Sequence, residues 1–158
     1  MAPINYSNLP TKMIMENDIL GDILYTNDRL TTILEKLEKK LNHLKDARDF
    51  FFVLLDSQTK SVKGIITLLE LKELLKFVNE ELKKTNKNLP DIEIHTPTYC
   101  KKPVLIKSDN TITEVLSIFD SNQENILIVV NDKNVYIGKI RRTTLKDKLD
   151  ELIKSITS

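Results

Sequence analysis

The stretch "GIITLLELKELL", Gly64 to Leu75, places Thr67 and Glu70 within one helical turn, where an apolar strand gives way to helical spacing. The first N–H groups of a helix lack intrahelical partners and carry the positive end of its dipole, so they suit a phosphate. A threonine hydroxyl there adds a hydrogen bond to a phosphate oxygen. An acid one turn later can take two hydroxyls of a ribose. The same pair is also a capping box, with Thr at the N-cap and Glu at the third helical position, and a capping box needs no ligand. Both alternatives stay open on the sequence.

A second stretch, "GKIRRTTLKDKL", Gly138 to Leu149, echoes the first. Arg141 stands where Thr67 stood, and Thr144 where Glu70 stood. Lys139, Arg141, Arg142 and Lys146 gather near a helix start. Guanidinium groups bind phosphate through paired hydrogen bonds, which would suit a polyphosphate or a cyclic dinucleotide. The alternative is that Lys139 points outward from a strand and the rest form a solvated helix face.

The elements that position these residues form an internal repeat. "NDRLTTILEKLEK" (27–39) resembles "DNTITEVLSIFDS" (109–121), and the region from Phe50 to Leu75 resembles that from Asn125 to Leu149. Each copy reads as β-α-β-β-α. In the first, a strand near Asp22 to Thr26 precedes a helix with Leu30, Ile33, Leu34, Leu37, Leu41 and Leu44 on one face. "DFFFVLLD" and "VKGII" are the next strands. The second helix carries Leu71, Leu74, Leu75, Val78 and Leu82. In the second copy "KPVLIKS" is the strand, and Asp109 or Asn110 is the expected cap of a helix with Ile112, Val115, Leu116 and Phe119. "NDKN" joins "NILIVV" to "VYIGKI" as a hairpin. The last helix turns Leu145, Leu149, Leu152, Ile153 and Ile156 inward. The polar stretch between the copies holds three of the five prolines and reads as a linker, with a short strand expected at "DIEIH". The expected divisions are residues 1–14 as an N-terminal extension, 15–84 as the first repeat, 85–101 as linker and 102–158 as the second repeat.

This pattern resembles a tandem pair of cystathionine-β-synthase (CBS) domains, the Bateman module. The family signature runs from an apolar strand ending in an acid or amide, through a turn, to glycine, two apolar residues, Thr or Ser, two variable residues, an acid and an apolar residue. "VLLDSQTKSVKGIITLLEL" follows it through Asp56, Gly64, Ile65, Ile66, Thr67, Glu70 and Leu71. "IVVNDKNVYIGKIRRTTL" follows it through Asn131, Gly138, Ile140 and Leu145. The resemblance covers roughly residues 15 to 155.

It implies an α+β fold of two β-α-β-β-α repeats packed as a pseudo-two-fold pair, with two chains associating as a homodimer. It also implies regulatory rather than catalytic work: binding of AMP, ADP, ATP, S-adenosylmethionine or cyclic di-AMP, with the signal passed to a partner protein. No cofactor beyond such an adenine nucleotide is implied. Thr67 takes the phosphate role and Glu70 the ribose role, although the family's acid is usually aspartate. The strands before each copy's first helix supply the adenine pocket, which nominates Tyr25, Thr26, Ile106 and Lys107. Arg141, Arg142 and Thr144 are the candidates from the second copy. The alternative is a structural or protein-interaction module with an empty cleft.

Composition narrows the remaining classes. Twenty-four basic and 23 acidic residues leave a net charge of +1, with no global attraction to nucleic acid or membrane, which argues against a nucleic-acid binder built on "KIRR". Three glycines cannot make a Gly-rich phosphate loop. Cys100 is the single cysteine and His43 and His95 stand alone, so no metal set or nucleophile–base pair is expected. The N-terminal stretch has no apolar run suited to a signal peptide or membrane span, and a cytoplasmic location is the expectation.

Overall fold

The computed structural model describes residues 8–85 and 87–157; residues 1–7 of the expected extension, Asn86 of the expected linker, and Ser158 lie outside them. The chain divides into two units. The first is Leu20–Pro103; the second joins the N-terminal residues through Ile19 to Val104–Ser158.

The first unit runs β1 (Ile23–Tyr25), α1 (Leu30–His43), β2 (Phe52–Leu55), β3 (Val62–Ile66) and α2 (Leu68–Thr85). The second runs β4 (Leu105–Lys107), α3 (Ile112–Ser121), β5 (Ile126–Val130), β6 (Tyr136–Arg141) and α4 (Leu145–Thr157). Each is the expected β-α-β-β-α. In both, the first strand lies parallel to the second and the third antiparallel to it. Parallel neighbours cannot be joined by a tight turn, and α1 and α3 supply the crossovers. Every residue of β2 and β5 is buried, which is why both strands read as unbroken apolar runs instead of alternating ones.

The helices close each core with the stripes their spacing predicts. Leu30, Ile33 and Leu37 of α1 are buried, as are Leu71, Leu74 and Val78 of α2. Leu41, Leu75 and Ile153, expected inward, are 47%, 37% and 37% exposed because they lie at the margins of their stripes. The second unit packs Ile112, Val115, Phe119 and Leu152 against Ile106, Leu127, Val129 and Ile140. Leu74 is fully buried, so truncating it to Ala would cost about 2–5 kcal/mol.

The two hairpins share one device. Asp56 Oδ1 accepts from the N–H groups of Gln58 and Thr59, and Asn131 Oδ1 from those of Lys133 and Val135. Lys60 and Asn134 then take positive φ, 64° and 62°, and the ladder slips between Leu54 and Leu55 and between Val129 and Val130. A short polar side chain that mimics a backbone turn explains the acid or amide at each strand end.

The unit boundaries differ from those expected. Residues 15–19 fold with the second unit, and much of the expected linker folds with the first. The cause is a pair of crossing segments, each bound to the last strand of a unit. Glu16 exchanges both backbone hydrogen bonds with Lys139 of β6, at 2.8 and 2.9 Å. Lys101 does the same with Ile65 of β3, both at 2.9 Å. "DIEIH" forms no strand. Its alternating Ile92 and Ile94 enter the apolar cluster of Leu30, Leu74 and Val78, and Ile92 is 5% exposed. The cap of α3 is Thr111, whose hydroxyl accepts from the Glu114 N–H at 3.2 Å. Asn110 turns back instead, accepting from the Lys107 N–H at 2.7 Å.

Candidate functional site

The sheet register divides the candidates of each unit. Tyr25 pairs with Leu55, and Leu55 with Val62, at one end of the first sheet. Thr67 follows Ile66, which pairs with Phe52 at the other end. The three residue steps from Phe52 to Leu55 separate the ends by about 10 Å. In the second unit Lys107 pairs with Val130, whereas Arg141 pairs with Ile126, which gives the same division. Neither unit alone brings its strand-end residues together with its helix-start residues.

At the start of α2, Thr67 and Glu70 are bound to each other. The Thr67 N–H donates to Glu70 Oε1 at 2.9 Å, and the Thr67 hydroxyl donates to the same oxygen at 2.6 Å. The N–H bond is one half of a capping box. The hydroxyl, however, gives its hydrogen to the carboxylate and does not accept from the helix. An incoming phosphate or ribose would therefore have to take over contacts this pair makes with itself.

The second unit holds a different cradle. Arg141, the last residue of β6, donates from Nε to Glu16 Oε2 at 2.7 Å and from Nη2 to Glu16 Oε1 at 2.8 Å. Thr144 donates from Oγ1 to Glu16 Oε1 at 3.1 Å. Burial pushes the Glu16 carboxyl up, but the hydrogen bonds and charge of Arg141, the Thr144 hydroxyl and the charge of Lys139 outweigh it and hold the group below its ordinary value. Thr144 immediately precedes α4, and its carbonyl accepts the first helical bond, from Lys148 N–H at 3.0 Å. In α2 the same bond runs from Leu71 N–H to the Thr67 carbonyl at 2.9 Å. Thr144 is thus the N-cap counterpart of Thr67. Each N-cap hydroxyl meets a carboxylate, supplied within the helix by Glu70 and from the crossing segment by Glu16. Aligning the two glycines hides this, because β6 runs on to Arg141 and α4 begins later.

Lys139 does not point outward. It is 7% exposed, and its ammonium donates to the Asp18 carbonyl at 3.2 Å. Arg142 leaves the cradle altogether. Its guanidinium donates to the carbonyls of Phe119, Asn122 and Glu124 and lies 4.8 Å from the centre of the Phe119 ring, so it closes the C-terminal end of α3.

The strand-end candidates have structural partners too. The Tyr25 ring has the Lys60 ammonium 4.6 Å and the Lys36 ammonium 5.4 Å from its centre. Thr26 Oγ1 accepts from the Ser57 N–H at 3.1 Å, tying β1 to the hairpin. Ile106 is 3% exposed and lies in the core of the second unit. Lys107 is exposed and pairs with Asp132 at 3.0 Å. Burial pushes the Cys100 thiol up, and the charge of Glu70 adds to that, so the neighbouring lysines do not activate it.

Glu16 is the residue the sequence did not reveal. The one signal for it is its place ahead of the first strand of its repeat, matching that of Lys101 ahead of β4. Among the described residues, no group of three His, Cys, Asp or Glu side chains is placed to hold a metal ion, and no helix is long and apolar enough to cross a membrane.

The family model for the CBS domain matches residues 94–151. No curated protein matches the chain. Among solved structures, CBSX2 in complex with AMP is 12% identical, with a TM-score of 0.65 over 90% of this chain and 97% of that one. A functionally unknown conserved protein domain from Neisseria meningitidis MC58 is 17% identical, with a TM-score of 0.61 over 89% of this chain and 78% of that one. The CBS domains of a transcriptional regulator from Streptococcus pneumoniae are 14% identical, with a TM-score of 0.59 over 88% and 98%. At these identities the likeness establishes the fold.

Proposed function

We propose that this chain is a tandem CBS-domain pair and a regulatory module that binds an adenine-containing ligand and passes the signal to a partner protein; the family match at 94–151 and the likeness of fold support this. The ligand class is AMP, ADP, ATP, S-adenosylmethionine or cyclic di-AMP, and the working form is a homodimer. The observation that carries this reading is the Thr67–Glu70 pair at the start of α2, within a fold that CBSX2 uses in a complex with AMP. Rotation of the Thr67 hydroxyl away from Glu70 would present a donor to a phosphate oxygen beside the free N–H groups of the helix. The same rotation would release Glu70 to accept from the two hydroxyls of a ribose. Ligand binding would then shift the population of conformations that the partner reads.

Thermal unfolding in the presence of each ligand tests this. A ligand at a hundred times its dissociation constant adds about 2.7 kcal/mol of stability, and Thr67→Ala should reduce that gain. Absence of a shift with all five at millimolar concentration would reject the reading. It would favour a protein-interaction module, a second reading supported by the self-satisfied cradles and by Leu69, which is 69% exposed at the start of α2.

A further inference from the structure

We propose that the open edge of β4 receives an extended, acid-bearing segment of a partner protein, which joins the sheet through one antiparallel bridge at Leu105. Leu105 is in register with Ile128 of the parallel neighbour β5, and the Ile128 N–H donates to the Val104 carbonyl at 3.1 Å. In a parallel pair that pattern turns the N–H and C=O of Leu105 away from the sheet. Among the described residues neither group has a hydrogen-bond partner.

The first repeat shows the same edge closed. Extending the match of 27–39 with 109–121 in both directions sets Ile23 against Leu105, Asp28 against Asn110, Lys36 against Ile118 and Lys40 against Asn122. Lys36 donates to the Ile23 carbonyl at 3.2 Å, and Lys40 pairs with the adjacent Asp22. Asp28 accepts from the Tyr25 N–H at 2.9 Å, as Asn110 does from the Lys107 N–H at 2.7 Å. The second repeat therefore keeps the turn that ends the strand and loses both lysines. Ile118, partly buried against the core, has no donor to give. The Asn122 amide donates to the Ile118 carbonyl of its own helix at 3.2 Å. Lysine over an edge strand is a common block to pairing, and β4 lacks that block. Leu105 is 41% exposed.

The form of the occupant follows from the other edges. Each outer strand, β3 and β6, takes one residue of an extended segment that exchanges both backbone bonds with it, Lys101 on Ile65 and Glu16 on Lys139. The room at Leu105 is the same size. The Lys107 N–H is committed to Asn110, and Pro103 has no N–H. Charge then selects the partner. Leu105 and Lys107 share a face, so the residue two places before the bridging one in an antiparallel segment lies beside Lys107. The ion pair of Lys107 with Asp132 is weak, with side chains 52% and 95% exposed, and an acid at that place replaces it. A second copy of this chain, paired Leu105 to Leu105, would set Lys107 opposite Pro103 and beside Lys102, so like charges oppose it. The inference rests on the part of the regulatory reading that calls for a partner protein, and it needs no adenine site.

The probe is the blocked peptide acetyl-Ser-Glu-Thr-Val-Thr-Ser-amide, titrated into the full chain and followed by NMR and amide exchange. The Leu105 amide should exchange freely without peptide and about tenfold more slowly at saturation. N-methylation of the peptide valine, which removes its donor, should weaken binding about tenfold. Lysine in place of the peptide glutamate should weaken it severalfold. In the protein, Ile118→Lys restores the lysine of the first repeat and should abolish binding. Should that variant not fold, Leu105→Pro decides, because it removes an N–H that makes no sheet bond. No binding at millimolar peptide, or binding that survives N-methylation, Ile118→Lys or Leu105→Pro, would overturn the proposal. Equal affinity for the lysine peptide would overturn the acidic partner. Slowing of Leu105 exchange by higher protein concentration alone would assign the edge to a second copy and overturn it too. Failure of the adenine ligands to shift unfolding, with a positive peptide result, would reject only the adenine reading.

Discussion

Glu16 accepts two hydrogen bonds from Arg141 across 125 positions of sequence, and the pair ties the N-terminal segment to the last strand of the second repeat. The Glu16 side chain is 10% exposed and that of Arg141 26%. A charged hydrogen bond in such a setting contributes about 1.5–3 kcal/mol net. Replacing either residue with Ala should therefore cost about 2 kcal/mol in urea unfolding. The double variant should cost clearly less than the sum, since each single change leaves the other charge stranded. Fully additive losses would mean that the pair contributes only packing.

The same pair sets an acid limit on stability. The folded-state value of the Glu16 carboxyl is depressed below the 4.5 of the free group. The folded chain thus favours the ionised form, and the added stability is present above pH 4.5 and lost as pH falls through the lower, folded value. The stability difference between wild type and Glu16→Gln should hold from pH 7 to about pH 5 and narrow toward about pH 3. A difference that stays constant to pH 3 would show that the ionisation of Glu16 is not what Arg141 recognises.

Arg142 has a structural role of its own, distinct from that of its neighbour Arg141. Its four hydrogen bonds run to carbonyls at and beyond the end of α3, groups that a helix leaves without partners. Arg142→Ala should cost about 1–2 kcal/mol of stability in urea unfolding. Lysine at 142 should not restore stability, because a single ammonium cannot reach three carbonyls from one plane. Full stability in Arg142→Lys would show that the planar fork is not what the end of α3 requires.

What the sequence disclosed was local. The Thr67–Glu70 pair lies within one turn, and its capping chemistry is legible from residue types alone. Asp56 and Asn131 likewise announce their hairpins because each bonds to backbone within a few positions. Glu16 was not legible, because nothing near it in sequence needs an acid; its partner comes from the far end of the chain. Ile92 and Ile94 misled for a related reason. Alternation signals a strand only when a strand edge is there to receive it, and here two helices receive the side chains. The N-cap role of Thr144 was hidden because the repeat was aligned on its glycines, whereas the helix start depends on where β6 stops.

The glycines themselves give an ordered prediction. A Cβ on Gly64 would overlap Cys100 Sγ and lie 2.8 Å from Cys100 Cβ and 3.1 Å from the Lys101 carbonyl. A Cβ on Gly138 would lie 2.7 Å from Met15 Sδ, 3.2 Å from Met15 Cγ and 3.1 Å from the Glu16 carbonyl. Both glycines let a crossing segment approach a strand, but the obstacles differ. Met15 is a long side chain that can rotate its sulfur away, whereas the Cβ of Cys100 is fixed to the backbone. Gly64→Ala should therefore cost about 2–3 kcal/mol, toward the upper end of what overpacking does, and Gly138→Ala about 1 kcal/mol. Adding Cys100→Gly to Gly64→Ala removes both cysteine contacts and should recover part of the loss, whereas Cys100→Ala leaves the Cβ in place and should recover less. Urea unfolding of the four variants reads the order directly, and a larger cost at Gly138 than at Gly64 would show that the Met15 side chain is locked in place.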